Sequence, residues 1–323
     1  MLVRVPKNDM TLVSIITPSF NQASYLEQTI RSVLDQDHAD IEYLVIDGGS
    51  ADGSVDIIKK YAPRLAYWVS EKDSGQADAI NKGMARTKGD IVAWLNSDDY
   101  YLPGAVTAAV RTFEQNPDAV LVYADMFAVD QDGQTFNTLR YSQLTLEDLL
   151  CFQIIGQPAV FIRRSAFEQA GGLDLSYHFL LDHHLWIRIA AQGRILHVPQ
   201  TWSAARYHPA AKNRAHAAAF GQEAFRILKD VEQDANFAPV LARIKRRALA
   251  SAHRVNARYL LDGGQPAASL AAWTRAFFIH PPTALARLNL LGSALLSLAG
   301  MGKLRESVLK KRQSKFSNAK DTK

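Results

Sequence analysis

Four short apolar runs, each closed by polar turn residues and followed by a stretch with helical spacing, restrict this chain to one class of fold. Thr11–Thr17 reads as a buried strand ended by Pro18 and Asn21, and Ala23–Leu34 then carries helical spacing through Tyr25, Leu26, Ile30, Val33 and Leu34. Ile41–Ile46 is a second strand, terminated by Asp47-Gly-Gly-Ser-Ala-Asp-Gly53; a helix over Ser54–Tyr61 follows, with Pro63 beyond it. Leu65–Val69 is a third strand, closed by Ser70-Glu-Lys-Asp-Ser-Gly75 ahead of a helix over Gln76–Ala85. Ile91-Val-Ala-Trp94 is the fourth, stopped by Tyr100, Tyr101 and Pro103, and Pro103–Phe113 is helical again. Strand and helix alternating four times predict an α/β fold, a mainly parallel sheet with helices on both faces. The polar clusters after the four strands should then gather on one edge of the sheet, where open α/β sheets bind their ligands.

The fourth cluster, Leu95-Asn-Ser-Asp-Asp99, puts two adjacent carboxylates at the carboxyl end of a buried strand. Two carboxylates with few cations nearby suit a hard divalent ion with oxygen ligands, and a metal in such a place most often serves a phosphate. The other use of such a segment is an Asp-rich turn that caps the next helix.

Five segments in order resemble the family 2 glycosyltransferases of the GT-A fold, which move a sugar from a nucleotide-sugar to an acceptor. They are Val13-Ser-Ile-Ile-Thr-Pro-Ser-Phe-Asn21, Ile46-Asp-Gly-Gly-Ser-Ala-Asp-Gly-Ser54, Ser70-Glu-Lys-Asp-Ser-Gly-Gln-Ala-Asp-Ala-Ile-Asn-Lys-Gly83, Leu95-Asn-Ser-Asp-Asp99 and Leu181-Asp-His-His-Leu-Trp186. The resemblance covers residues 12–212. It implies that the turn at Thr17, Pro18, Phe20 and Asn21 lies against the nucleotide base, and that Asp47 accepts the imide N–H of uracil. A turn-former before Gly48-Gly49 is the other role open to Asp47. Asp52 and Gly53 read as the cap and start of the next helix. Asp73 resembles the family's donor-contacting acid, ahead of a helix whose N-terminus can face phosphate. Lys82 is either a donor contact or a solvated charge favoured by the helix dipole. Asn96-Ser97-Asp98 stands where the family carries Asp-x-Asp. Asn96 keeps a carbonyl oxygen for the donor but adds no charge, so Asp98 is the principal metal ligand expected, with Asp99 as helper or ribose contact. The cofactor expected is Mn²⁺ or Mg²⁺.

The second half of the domain is expected to bind the acceptor, a saccharide or lipid-linked molecule. Ala119–Ala124 reads as a strand, and Met126–Asp130 with Gln134–Thr138 reads as a hairpin around Gln131-Asp-Gly133. Gln157–Arg163 is a short strand, Arg164-Ser165 starts a helix that ends at Gly171-Gly172, and Phe179–Ala191 is a helix. Asp182, near the start of that last helix, stands close to the family's catalytic carboxylate; a helix N-cap is its alternative. An inverting transfer needs a group that takes the acceptor's proton, and a positioned carboxylate can do so. His183 and His184 point about 100° apart on a helix, and surface or acceptor contact is expected for both. Gln157 and His178 are further candidates for the acceptor cleft. Late in the domain, His208 is expected to complete the metal or diphosphate shell, and Arg206 and Lys212 to close over the diphosphate from a loop spanning Ala205–Lys212; ordinary basic residues of a loop are the alternative for both.

From about residue 215 the chain turns rich in Ala, Leu and Arg and poor in strand formers, and it reads as helical, with a helix–turn–helix over Ala248–Leu261 and Ala267–Phe278. The expected organisation is a GT-A domain over 1–214 (nucleotide half about 11–115, acceptor half about 116–214), a helical appendage over 215–302 and a basic tail over 303–323. That tail holds eight Lys/Arg against two acids, a net +6, which leaves the first 302 residues at −1 within a chain total of +5. The basic balance therefore belongs to the tail, which argues against a nucleic-acid face on the body. Leu285–Leu298 is apolar but too short for a span; followed by Lys310-Lys-Arg312, it can lie on an anionic membrane surface or pack on the body. The polar start Met1–Asp9 shows no signal pattern, and the single Cys151 excludes an internal disulfide, both matching a cytoplasmic protein with peripheral membrane contact. At 323 residues and 48% hydrophobic content the chain can bury one large core plus the appendage.

Other readings of the sheet fit less well. Nucleotidyl transfer would need a Gly-rich phosphate loop where Pro18-Ser-Phe-Asn21 stands, and a dinucleotide dehydrogenase needs a Gly-x-Gly-x-x-Gly that is missing there. The expected activity is metal-dependent, inverting hexosyl transfer from a nucleotide-sugar, UDP-linked first, in cell-surface polysaccharide or glycolipid synthesis. A catalytically inactive nucleotide-sugar-binding or scaffold protein of the same fold is the alternative, motivated by Asn96.

Overall fold

The computed structural model describes residues 11–208 and 217–301. Nine strands form one sheet in the order β3-β2-β1-β4-β8-β6-β9-β5, with β7 paired to β6. The first four are β1 (Val13–Ser19), β2 (Ile41–Asp47), β3 (Tyr67–Ser70) and β4 (Ile91–Trp94). They run parallel, because α1 (Ala23–Leu34), α2 (Ser54–Tyr61) and α3 (Gln76–Met84) carry the chain back between them. β5 (Tyr100–Tyr101) and α4 (Ala105–Gln115) follow, then β6 (Ala119–Val129), β7 (Thr135–Leu139), β8 (Val160–Arg163) and β9 (Arg194–Arg206). β8 is antiparallel to both β4 and β6, whereas β9 lies parallel to β6. The sheet is thus mixed, with its parallel half at the N-terminal end of the chain, as the alternation predicts.

Successive strand residues point to opposite faces, and the strands are apolar on both. Ile15, Tyr43, Val45 and Ala93 pack under α1, α2 and α4, while Ile16, Leu44, Ile46 and Trp94 pack under α3 and the later helices. Register fixes the carboxyl edge: Ser19 pairs with Asp47, and Asp47 with Ser70. The polar clusters do converge. β4 ends three residues earlier, with Trp94 opposite Ile16, so Leu95–Asp99 folds across the end of β1.

Three local differences have clear causes. The expected break between Ala124 and Met126 is absent, because the Asp125 carboxylate is satisfied in mid-strand by the Tyr141 N–H (2.9 Å) and His197 Nε2 (2.8 Å). Gln157–Ala159 is a 3-10 turn rather than strand, with Pro158 supplying no N–H to a ladder. Ala205 and Arg206, expected in a loop, complete β9 and pair with Ala128 and Val129.

The remaining helices are α5 (Leu146–Leu150), α6 (Arg164–Gln169), α7 (Leu181–Ala190), α8 (Ala217–Gln233), α9 (Ala238–Asp262), α10 (Pro266–Ile279), α11 (Pro281–Leu285) and α12 (Leu288–Leu298). Phe220, Ala224, Ile227 and Val231 of α8, with Leu241, Ala248 and Val255 of α9, share one core with Trp186 and Leu149 of the sheet domain. α9 turns its other side, Ala250 and Ala257, to Trp273 and Ala276 of α10. Polar links reinforce the docking: Arg243–Glu147 at 3.0 Å, Arg247–Asp148 at 2.8 Å, and Arg254 donating to the Cys151 and Phe152 carbonyls. Lys212 and the tail 303–323 lie outside the described residues.

Candidate active site

The carboxyl edge is laced together by turn residues. Asn21, at a φ of 51°, accepts the Ala51 N–H through Oδ1 (3.0 Å) and donates its own N–H to Ser50 Oγ (2.8 Å). Asp52 accepts from Ser54 N–H and Oγ on its own helix and from the Ala23 N–H at the start of α1 (2.9 Å), so one carboxylate caps two helices. A Cβ at Gly48 would stand 2.7 Å from Asp73 Oδ2, so a larger residue there would shift the Asp73 carboxylate. That close approach seats Asp73 against the end of β2, where its Oδ1 also accepts the Gly75 N–H at 2.9 Å.

Several residues expected at the donor lie elsewhere. Thr17 and Pro18 are buried within β1, and Thr17 Oγ1 pairs with the Tyr43 hydroxyl at 2.9 Å; only Phe20, at 59% exposure, and Asn21 face outward from that turn. Asp47 is fully buried. Its Oδ2 accepts from Gly49 N–H (3.1 Å), Ser50 N–H (2.9 Å) and Ser70 Oγ (2.7 Å), and its Oδ1 from Ser50 Oγ (2.6 Å). It organises the turn between β2 and α2 and ties it to the end of β3. Lys82 stands between Glu71 and Asp78, 3.3 Å from each.

The Leu95–Asp99 loop is held from every side. Thr29 of α1 donates to the Ser97 and Asp99 carbonyls at 3.0 and 2.6 Å. Asn96 accepts from Gln76 Nε2 (2.7 Å), and its amide donates to Asp99 Oδ2 (3.3 Å) and Gln157 Oε1 (3.2 Å). Gln157 in turn donates to the Trp94 carbonyl at 2.8 Å. The departure from Asp at position 96 now has a reason: the side chain is needed as a donor beside a buried carboxylate. Asp99 also accepts the Arg206 N–H at 2.9 Å. Burial, and next the charge of Asp98, hold its carboxyl well above the usual carboxylate range.

Arg206 stands on a strand and not in the expected loop. It lies buried at the end of β9, its guanidinium donating to the carbonyls of Asp98 (3.0 Å), Asp130 (3.1 Å) and Gln131 (2.8 Å) and to Gln28 Oε1 (2.5 Å), with the Tyr25 ring 4.7 Å away. With four of its five N–H donors on the protein, it locks the hairpin to the loop. Asp98 and His208 do meet, Oδ2 to Nε2 at 3.0 Å, beside the Tyr25 ring. The three expected metal ligands do not converge, because both Asp99 oxygens serve the loop. Among the described residues no group of three His, Cys, Asp or Glu side chains forms a cation cage. A carboxylate and an imidazole still suit a divalent ion that takes its remaining ligands from a substrate's phosphate oxygens.

Asp182 sits in the first turn of α7 and accepts the His183 N–H at 2.7 Å. Its helix is keyed to the Asp98 strand by Trp186 stacked on Trp94, ring centroids 5.2 Å apart. Such a pair adds about 1 kcal/mol beyond burial. Asp182 and Arg258 bear electrostatically on the same two hydroxyls, Tyr141 and Tyr259; burial raises both, Tyr259 to about 12. The histidines after it are not surface groups. His183 is buried under Phe152 with Nε2 on the Leu149 carbonyl (2.9 Å), and His184 packs on Tyr177 at 4.2 Å. Burial lowers each to about 4. His178 contributes its backbone N–H to Glu223 Oε1 at 2.7 Å. Glu223, Thr29 and Gln28 build the site from outside the motifs, and Gln76 does so from within one.

Comparison with known proteins places this geometry. The model of glycosyl transferase family 2 matches residues 14–171. TuaG of Bacillus subtilis, a glycosyltransferase assigned to teichuronic acid biosynthesis, is 32% identical over 188 residues, 56% of this chain and 73% of that protein. Among solved structures, Staphylococcus aureus TarS 1–349 in complex with UDP-GlcNAc superposes with a TM-score of 0.59 at 15% identity, covering 93% of this chain and 92% of that one. The mannosyltransferase PcManGT from Pyrobaculum calidifontis, in complex with GDP-Man and Mn²⁺, reaches 0.61 at 20% identity, with 97% and 88% covered. Both share the GT-A fold with this chain.

Proposed function

The chain belongs to glycosyl transferase family 2, and on that premise we propose that it is a divalent-cation-dependent, inverting glycosyltransferase that uses a UDP-sugar. The observation that carries the proposal is the Asp98–His208 pair on the carboxyl edge, 3.0 Å apart, on a loop held by Thr29, Asn96, Asp99 and Arg206. Phe20 and Asn21 supply the outward face for the nucleotide, and Asp73 a donor contact. Mn²⁺ or Mg²⁺, held by Asp98 and His208 with the donor's diphosphate oxygens, would offset the charge that builds on the leaving diphosphate.

In the transfer step the acceptor oxygen bonds to the anomeric carbon from the face opposite the diphosphate, as the bond from that carbon to the phosphate oxygen breaks. The acceptor's proton passes to the Asp182 carboxylate and the nucleoside diphosphate leaves with the electron pair. Inversion follows from the single displacement. The buried loop around Asp98 needs little reorganisation while charge develops, which is how a preorganised polar site lowers a barrier.

The acceptor we propose is a saccharide or lipid-linked intermediate of surface-polysaccharide synthesis, a reading supported by the likeness to TuaG. The chain from residue 263 to 305 contains no Asp or Glu, and Phe278, Leu285, Leu288, Leu295, Leu298 and Met301 are exposed along it. With the +6 tail beyond it, this face suits the anionic cytoplasmic surface of a membrane. No helix among the described residues is long and apolar enough to cross one. Leu288→Asp/Leu295→Asp should abolish cosedimentation with phosphatidylglycerol vesicles; unchanged recovery discards the membrane contact.

Thermal stabilisation by UDP, GDP, dTDP and CDP, each with Mn²⁺, Mg²⁺ or EDTA, tests the donor reading, since a ligand of the native state raises apparent stability by mass action. A cation-dependent shift with UDP is expected. A shift with GDP alone reassigns the donor, and none with any nucleotide overturns the proposal. Binding without sugar transfer would leave the inactive binding protein.

A further inference from the structure

Glu223, Arg226 and Asp230 fall at i, i+3 and i+7 of α8, a spacing that puts them on one stripe of the helix. All three reach the same five residues. The buried Glu223 carboxylate accepts the N–H groups of His178, Phe179 and Leu180 at 2.7, 2.8 and 2.7 Å. Arg226 donates to the Ser176 carbonyl (2.9 Å) and hydroxyl (2.6 Å), and its guanidinium lies 4.5 Å over the Tyr177 ring. The Tyr177 hydroxyl donates to Asp230 Oδ2 at 2.5 Å. Ser176–Leu180 runs directly into α7, whose second residue is Asp182.

A helix start leaves N–H groups without partners, and side chains from the same turn usually satisfy them. Here Leu180, the residue before the helix, provides no side-chain cap. Glu223, on a helix more than forty residues further on, meets the Leu180 N–H at that start and those of Phe179 and His178 in the segment leading into it, with charge-assisted bonds about twice as strong as neutral ones. Proton transfer needs its heavy atoms within hydrogen-bond reach, and an error near 1 Å costs roughly 10²-fold in rate.

We infer that Glu223 is the positioning residue of Asp182: by clamping the mouth of α7 it fixes where the base stands against the acceptor, so the C-terminal helices belong to the catalytic apparatus. The inference rests on Asp182 acting as the base. Gln cannot replace Glu223 fully, because its amide nitrogen would face N–H groups instead of accepting from them.

The test uses the full chain carrying Glu223→Gln, Asp182→Asn or both. It follows UDP release from UDP-N-acetylglucosamine and UDP-glucose with Mn²⁺, water standing in for the acceptor, together with amide exchange over residues 176–182. Glu223→Gln should lose kcat by about 10- to 100-fold, keep donor KM and UDP binding within about twofold, and lose exchange protection at Phe179 and Leu180. The double variant should be no slower than Asp182→Asn alone, as expected for groups acting as one unit. Native kcat or native protection in Glu223→Gln overturns the inference, as do losses that multiply in the double variant. Loss of UDP binding in step with kcat overturns it too, because that marks a general role in stability. If the Gln variant does not fold, Glu223→Asp keeps the charge with a shorter reach and should show the same split between kcat and KM. Native turnover in Asp182→Asn alone sinks the base assignment itself and takes the inference with it, a failure visible without touching Glu223.

Discussion

The donor edge and the helix that carries Asp182 are built in opposite ways. At the donor edge, turn formers near the ends of adjacent parallel strands bond to one another: Asn21 to Ser50 and Ala51, Asp52 to Ala23, Asp47 to Gly49 and Ser50. The helix α7 takes its hold from remote groups instead, Glu223 at its mouth and Trp94 beneath it. A site assembled from turns at adjoining strand ends comes preorganised with the sheet, whereas one clamped by a later helix depends on that helix docking. The difference separates what a mutation will do. Changes at the edge should strike nucleotide binding, and changes around α7 should strike turnover alone.

The harshest test of that separation is Asp98→Ala. It should remove cation-dependent stabilisation by UDP and cut transfer by roughly 10³-fold, several kcal/mol of lost charge stabilisation. UDP bound as before in EDTA and Mn²⁺ alike would remove Asp98 from the cation site. Asp182→Asn should come next, lowering kcat by about 10²-fold or more while UDP binding holds. Joint loss of binding and turnover there would erase the proposed division between the two regions.

What the sequence disclosed divides along the same line. Strand–helix alternation was enough for the parallel half of the sheet, and the polar strand ends predicted the edge, because period and turn chemistry are local. Which side of a strand each polar residue faces was not legible: Asp47 and Thr17 lie in matching motifs yet point into the protein. Nothing near Arg206 in sequence shows that Asp98, Asp130, Gln131 and Gln28 take up its donors. The place of the histidines after Asp182 is hidden for a similar reason, since burial under Phe152 and beside Tyr177 is a tertiary fact. Glu223, Arg226 and Asp230 did leave a signal, a polar i, i+3, i+7 stripe in an otherwise amphipathic helix.

Arg206→Lys sharpens the donor side. A lysine cannot reproduce the guanidinium's bonds to three carbonyls and Gln28, and about 2–3 kcal/mol of stability should be lost, read as a lower midpoint in urea. A midpoint unchanged from the native chain would mean that the hairpin and the Asp98 loop hold without it. Asn96→Asp should cost less, about 1–2 kcal/mol, by placing a second carboxyl 3.3 Å from buried Asp99 in place of a donor. Better binding of UDP and Mn²⁺ in that variant would instead return position 96 to the cation shell.

The smallest effect tests how tightly α7 is packed. His183 and His184 are held neutral by burial, with values lowered to about 4 against an ordinary 6.5. The unfolded chain binds protons near pH 6.5 and the folded chain does not until near pH 4, so stability falls as pH drops through that window and is regained above it. Between pH 7 and pH 6 the loss is under about 1 kcal/mol for a fully buried histidine, and less for His184, which keeps some solvent. His183→Gln retains a donor for the Leu149 carbonyl but cannot titrate, and it should remove the larger part of that slope in urea midpoints at the two pH values. A slope as steep as the native one would show that His183 already accepts its proton in the folded state, and that the core around α7 opens more readily than the donor edge does.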